Sequence, residues 1–236
     1  MSQELTAAGI TFESKPRRDF IYQDQVADTF EADFLVENQL IVELKALSGE
    51  FAQEHFKQVL CYLKFWKQKT GLLLDFGKAS LFHKRVTYTS RHSNLFVHSQ
   101  GTDKFCALEN RTIDGIQKCL REIGLGYRKT TWQKLIQIAL QREGLHTTSK
   151  PRIKITGLGQ TNLDCIVVEG DLLLSVGALG KGVSAIDRSR LQTCLRWLQL
   201  NRGLCFHFGS AKAEVMTIEP PKNKSAAFLN LREIKS

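Results

Sequence analysis

The stretch that decides the fold is ADFLVENQLIVELKAL, running from Ala32 to Leu47. It reads as two apolar strands joined by an acidic turn, Glu37-Asn38-Gln39, centred on Asn38. Asn38 is also the midpoint between Asp33 and Glu43, so an antiparallel hairpin sets these two acids directly opposite each other. Opposed residues share a face, with Cβ atoms ~4.5–5.5 Å apart. Side chains alternate along a strand, so Lys45 joins Glu43 on that face while Val42 and Leu44 take the other. Two carboxylates at such a spacing repel unless a cation lies between them. Hard oxygen ligands favour Mg2+ or Mn2+, with water and substrate phosphate completing the shell. An ammonium one step away, on Lys45, can orient an attacking water or stabilise charge developing on a phosphate. The plainer reading is a solvated ion pair on an exposed sheet face.

Downstream context favours a site. A helix is expected from near Ser48, an acceptable N-cap, with Phe56, Val59, Leu60 and Leu63 at helical spacing and Gly71 beyond its end. His55, Gln58 and Tyr62 share a stripe of that helix, and Gln58 can reach the acids. For His55 and Tyr62, packing or capping competes with a role in the site. LLLDF is too short and too apolar for a surface helix and reads as a buried strand. LFHKRVTY follows as the next strand, and polar Thr89 to Arg111 reads as a linker.

The pattern then recurs. LDCIVVEGDLLLSVGAL, Leu163 to Leu179, repeats the hairpin, and LRWLQLNRGLCFHFG, ending at Gly209, repeats LKFWKQKTGLLLDFG, ending at Gly77. The glycines and the Ala46/Ala178 pair all obey an offset of 132 positions. One extra residue is placed between Asp164 and the following strand. The expected architecture is therefore α/β, with two tandem units, each a small mixed β-sheet flanked by helices. Their boundaries are residues 1–90, a linker at 91–111, and 112–236.

The net charge of +9 is unevenly spread. Residues 1–110 carry 13 Lys+Arg against 14 Asp+Glu, and residues 111–236 carry 20 against 10. That basic second half suits a polyanion, most simply nucleic acid. No apolar run approaches the ~20 residues of a membrane span. The N-terminus lacks a signal-peptide pattern, and the six scattered cysteines include no C-x-x-C pair. These features point to a reducing cytoplasm without a zinc site. No P-loop, dinucleotide motif or Ser/Cys-His arrangement is present.

The order of D…E-x-K hairpin, HFKQVLCYL helix, GLLLDFG and a strand ending HKRV resembles the PD-(D/E)XK nuclease superfamily. Within it, the chain is similar to the GxxExxY proteins, well over Leu5 to Val86 and in degenerate form over Gly124 to Ile218. The resemblance implies a restriction-endonuclease-like core and metal-dependent phosphodiester hydrolysis, DNA being the expected substrate. By carry-over Asp33 and Glu43 would ligate metal with the Leu44 carbonyl, Lys45 would act at the water, and Gln58 would support the site. The helix that names the family appears as GYRKTTW in the second unit, with Lys129 and Trp132 replacing Glu and Tyr; the first unit starts after its place. Ser175, Gly177 and Arg190 stand for Glu43, Lys45 and Gln58, leaving Asp164 as the sole survivor. The second unit is accordingly expected to be inactive and to grip nucleic acid. The sequence leaves open a homodimer or a protein partner, and DNA against RNA. A non-catalytic binding or scaffold protein is the competing reading.

Overall fold

The computed structural model describes residues 1–89, 95–98, 105–155 and 159–220. The chain divides into two compact units, one of Met1–His92 with Gly126–Leu135, the other of Ser93–Leu125 with Ile136–Ser236.

The first unit opens with α1 (Ser2–Ala7), β1 (Phe12–Ser14) and a separate hairpin of β2 (Arg17–Tyr22) and β3 (Gln25–Glu31). It continues through β4 (Phe34–Val36), β5 (Leu40–Lys45), α2 (Gln53–Phe65), β6 (Thr70–Asp75) and β7 (Phe82–Thr87). The main sheet has the order β1-β4-β5-β6-β7. Only β5 and β6 run parallel, because α2 carries the chain back across the sheet between them. The helix–sheet contact is fully buried, with Ile41 of β5 and Leu73 of β6 packed beneath Val59 and Leu63 of α2. Gly71 sits where α2 meets the sheet. A Cβ there would come within 2.6 Å of a Val59 methyl carbon, so the close helix–sheet approach requires glycine.

α2 starts at Gln53 rather than near Ser48. The backbone groups that an earlier start would use are already engaged. Asp75 Oδ1 accepts the Leu47 N–H at 2.9 Å, and Lys78 Nζ donates to the carbonyls of Ser48 (3.2 Å) and Gly49 (2.6 Å). His55 performs the capping, its Nδ1 accepting the Ala52 N–H at 3.1 Å.

The second unit contains β8 (Leu95–His98), α3 (Ala107–Ile123), β9 (Thr147–Ser149), and a small hairpin of β10 (Arg152–Ile155) with β11 (Gly159–Asn162). β12 (Ile166–Val168), β13 (Leu172–Ala178), α5 (Ala185–Leu198), β14 (Arg202–Phe208) and β15 (Ala213–Ile218) complete it. Its sheet order is β9-β12-β13-β14-β15-β8. The first five strands match the first sheet in order and sense, with β13 and β14 parallel about α5. The sixth, β8, adds in parallel to β15.

Two boundaries differ from the sequence reading. Part of the expected linker is structured: Leu95–His98 is a sheet strand and α3 begins at Ala107, while 90–94 and 99–104 lie outside the described residues. Gly126–Leu135, expected in the second unit, joins the first, and includes the start of α4 (Lys129–Arg142). Tyr127 stacks on Phe20 at 4.8 Å between ring centroids. The Arg128 guanidinium holds both oxygens of Asp28 at 2.7 and 3.0 Å, and Thr131 donates to the same carboxylate. A bidentate charge pair supported by aromatic stacking outweighs sequence proximity.

Gly71→Ala should cost about 1–3 kcal/mol, because the added methyl must displace Val59 in a packed layer. Denaturant unfolding would measure it, and a neutral substitution would mean that α2 does not rest on this glycine.

Candidate metal centre

The β4–β5 turn fixes the geometry. Glu37 and Asn38 both adopt left-handed backbone conformations (φ 54° and 53°), and the Gln39 N–H returns to the Val36 carbonyl at 2.9 Å. Two left-handed central residues define a type I′ turn, whose twist matches that of the flanking strands. The resulting register pairs Phe34 with Val42, Leu35 with Ile41 and Val36 with Leu40. Continuing it by one position brings Asp33 opposite Glu43, as the sequence midpoint requires. Asp33 Oδ2 accepts the Leu44 N–H at 2.7 Å.

Glu43 is only 4% exposed, and its Oε2 has no hydrogen-bond partner. Its Oε1 accepts from Lys45 Nζ at 2.6 Å, and the same ammonium lies 3.2 Å from Gln58 Oε1. Gln58 Nε2 in turn donates to the Tyr62 hydroxyl at 2.9 Å, one helical turn along α2. Asp33, Glu43, Lys45 and Gln58 are thus gathered at one end of the β5–α2 layer. Tyr62 extends the chain, and His55 serves as the cap described above.

The electrostatics are those of an unfinished site. Burial pushes the Glu43 carboxyl above its ordinary value and the Asp33 charge adds to this, while Lys45 and the Asp33 backbone N–H work against it. Burial likewise pushes the Tyr62 phenol up to about 12. A buried carboxylate oxygen without a partner costs about 1–3 kcal/mol or more. A hard cation between Glu43 and Asp33 would remove that cost, and the all-oxygen set of Asp33, Glu43 and the Leu44 carbonyl fits Mg2+ or Mn2+. No cluster of three or more His, Cys, Asp or Glu residues suited to a metal occurs among the described residues. A cation here would therefore draw the rest of its shell from water and substrate.

Asp75 is a supporting residue that pattern reasoning passed over. It faces Lys45 in the β5–β6 register, is fully buried, and accepts the N–H groups of both Leu47 and Gly77 at 2.9 Å. It thereby ties together the two loops that leave β5 and β6. Those backbone bonds, aided by Lys78, hold its carboxyl below the ordinary value. The available signal was Gly77: a Cβ there would lie 2.4 Å from the Leu47 nitrogen, so no other residue fits the latch.

The second unit has the same strand arrangement with different side chains at the corresponding positions. Glu169 and Gly170 form the equivalent left-handed turn. The register, with Ile166 opposite Leu174, carries Cys165 opposite Ser175. Cys165, not Asp164, therefore occupies the position of Asp33, at the same offset of 132 as every other pair. Asp164 is one step outside and exposed, so the expected surviving acid is absent from the site. Ser175 replaces Glu43 and Cys194 replaces Tyr62, its thiol beside that of Cys165. Gly177 replaces Lys45, and the His207 ring fills the vacated volume: a Cβ on Gly177 would lie 2.7 Å from His207 Nδ1. Arg190, at the Gln58 position, is exposed.

Residues 1–86 match the family model of the PD-(D/E)XK nuclease superfamily. The fold and the residue pattern of the first unit agree with that assignment. No curated protein matches the chain. Among solved structures, the crystal structure of SSO0001 shares 15% identity, with a TM-score of 0.30 over 36% of this chain. The match spans about half (47%) of that structure's length. So loose a superposition adds nothing to the fold of the PD-(D/E)XK segment.

A carboxyl held below its ordinary value stabilises the fold above that value and loses the contribution as pH falls through the lower, folded one. The stability advantage of the wild type over Asp75→Asn should therefore be full at neutral pH and shrink below about pH 4. Thermal melts across that range would measure it; a difference independent of pH would show that charge plays no part in the latch.

Proposed function

We propose that the PD-(D/E)XK unit is a metal-dependent nuclease that hydrolyses phosphodiester bonds, with DNA as substrate. The observation that carries this reading is the buried Glu43 carboxyl opposite Asp33, one of its oxygens without a hydrogen-bond partner and the other bound to Lys45. Bound Mg2+ or Mn2+ would supply Lewis-acid stabilisation and an activated water. Asp33, Glu43 and the Leu44 carbonyl would hold it. Glu43 and Gln58 fix the Lys45 ammonium from two sides, so its charge is set in place before substrate arrives, without reorganisation during the reaction. Tyr62 holds Gln58, its hydroxyl accepting from the Gln58 amide at 2.9 Å.

The second unit acts in this proposal as an inactive relative of the first, derived by internal duplication. Shared strand order, shared senses and a constant 132-residue offset support common descent. A Cys–Ser pair cannot replace two carboxylates as ligands for a hard cation, and the excess of Lys and Arg suits phosphate contacts. No helix among the described residues is long and apolar enough to cross a membrane. A cytoplasmic setting rests on the scattered cysteines of the sequence. The rival reading, a binding or scaffold protein with a retired site, draws on the two-acid site, since no third protein acid joins it among the described residues.

Supercoiled DNA incubated with Mg2+, Mn2+ or EDTA should be nicked only with metal. Glu43→Ala should abolish nicking, and Lys45→Ala should reduce it by roughly 10²–10³-fold, the usual loss on removing one preorganised charge-stabilising group. DNA affinity measured in EDTA should survive both changes. Binding without nicking under every metal would establish the retired-site reading instead.

Metal binding has a readout of its own. Mn2+ at about 100 times its dissociation constant should stabilise the wild type by about 2.7 kcal/mol and leave Glu43→Gln unmoved. Equal shifts would place the ion elsewhere. In the absence of metal, Glu43→Gln should melt no lower than wild type, because it removes a buried charge facing another.

A further inference from the structure

Beside the acids lies a surface that the proposed hydrolysis does not use. Across β5, β6 and β7 the register aligns Lys45 with Asp75 and Phe82, and Glu43 with Leu73 and Lys84. Gly71 and Leu73 of β6 face α2, so Phe82 and Lys84 share the face of the candidate site. Two strand spacings separate Phe82 from Lys45, or ~10 Å. Phe82 is 38% exposed, and Phe76 and Leu81 at the same end of the sheet are 54% and 55% exposed. Phe51 stacks against Phe82 with centroids 5.5 Å apart and planes 25° apart, and Phe56 abuts Phe51 edge-on at 6.1 Å. The Lys84 ammonium lies 5.2 Å from the Phe82 ring centre.

An exposed cluster of this kind calls for an occupant, and its charge selects one. The segment from Phe76 to Tyr88 carries Lys78, His83, Lys84 and Arg85 and no acidic residue. Asp75, the ladder partner of Phe82, is buried and occupied by the Leu47 and Gly77 N–H groups, and Glu54 at the start of α2 is paired with Lys57 at 2.9 Å. Aromatic faces interleaved with cations bind unpaired bases by stacking while the cations track the phosphates. A duplex keeps its bases stacked on one another and has nothing to offer the rings.

We infer that Phe82, buttressed by Phe51 and joined by Phe76, is a base-stacking platform for single-stranded nucleic acid, holding unpaired nucleotides that flank the bond presented to Glu43 and Lys45. The inference rests on the nuclease reading for its substrate class, and its location follows from the shared face and the continuous row of residues. The latch of Asp75 and Lys78 onto the Leu47–Gly49 backbone fixes the loop leading to Phe51, so the platform is rigid before a strand arrives.

The test uses the full chain in EDTA, where binding is separated from cleavage. Fluorescence anisotropy with labelled single-stranded oligothymidine and a duplex of equal length should show preference for the single strand. Phe82→Ala should weaken single-strand binding roughly 10–100-fold, the value of one base–aromatic stack, with duplex binding unchanged. Phe82→Trp should retain affinity. Phe76→Ala, at a more exposed position, gives a second reading if Phe82→Ala lowers the melting temperature. Equal losses on both nucleic acids, or no loss on either, overturn the platform. So does a concentration-dependent dimer abolished by Phe82→Ala while single-strand affinity is untouched, which would assign the surface to a second copy. Single-strand binding without metal-dependent nicking would overturn the nuclease reading and leave the platform standing. Nicking of duplex without single-strand preference would do the reverse.

Discussion

The first unit is organised around a buried carboxylate held against another carboxylate. Glu43 lies beneath α2 with one oxygen bound to Lys45 and the other unpartnered, and Asp33 faces it across the hairpin. Several distant features serve this placement. The type I′ turn at Glu37-Asn38 sets the register; a slip of one residue would send Glu43 to the opposite face. Gly71 lets α2 approach closely enough for Gln58 to reach the Lys45 ammonium. Asp75 and Gly77 secure the loops where β5 and β6 end, so the site sits at the rigid mouth of a parallel pair rather than on a free hairpin tip.

The second unit separates what the fold needs from what the chemistry needs. It retains the turn, the parallel pair, the crossover helix and a glycine at the helix–sheet contact, Gly203, whose Cβ would meet the Leu173 carbonyl at 3.2 Å. Its opposed positions hold no carboxylate. Cys165 and Ser175 occupy the opposed positions, Cys165 and Cys205 join Leu173, Leu191 and Leu195 in an apolar cluster, and His207 closes over Gly177. A small apolar thiol in place of Asp33 removes the repulsion at its source. The backbone therefore stands without the acids, and no requirement of the fold explains their presence in the first unit.

Much of this was legible in local sequence because it depends on local rules. The hairpin midpoint at Asn38 gave the Asp33–Glu43 pairing, alternation gave the Lys45 face, and helical spacing brought Gln58 and Tyr62 onto one stripe. Competing partners defeated other expectations. Ser48 has the chemistry of an N-cap, yet Asp75 and Lys78 claim the backbone that would have begun the helix. Asp164 looked like the surviving acid because residue identity was matched before register, and the ladder assigns the position to Cys165. The segment Gly126–Leu135 could not be assigned from its neighbours, since its partners Asp28 and Phe20 lie about a hundred positions away. No periodicity encodes a pairing of that range.

A buried polar atom left unsatisfied is a standing cost, and proteins carry few of them. The first unit carries this one where relief is simple: the second unit shows that the same backbone accepts a thiol and a hydroxyl at both positions. A site under no demand would be expected to lack opposed charges, as the matching positions of the other sheet do. Under the proposed nuclease reading, a divalent cation between Glu43 and Asp33 would offset that cost, with the Lys45 ammonium already held beside it by Glu43 and Gln58.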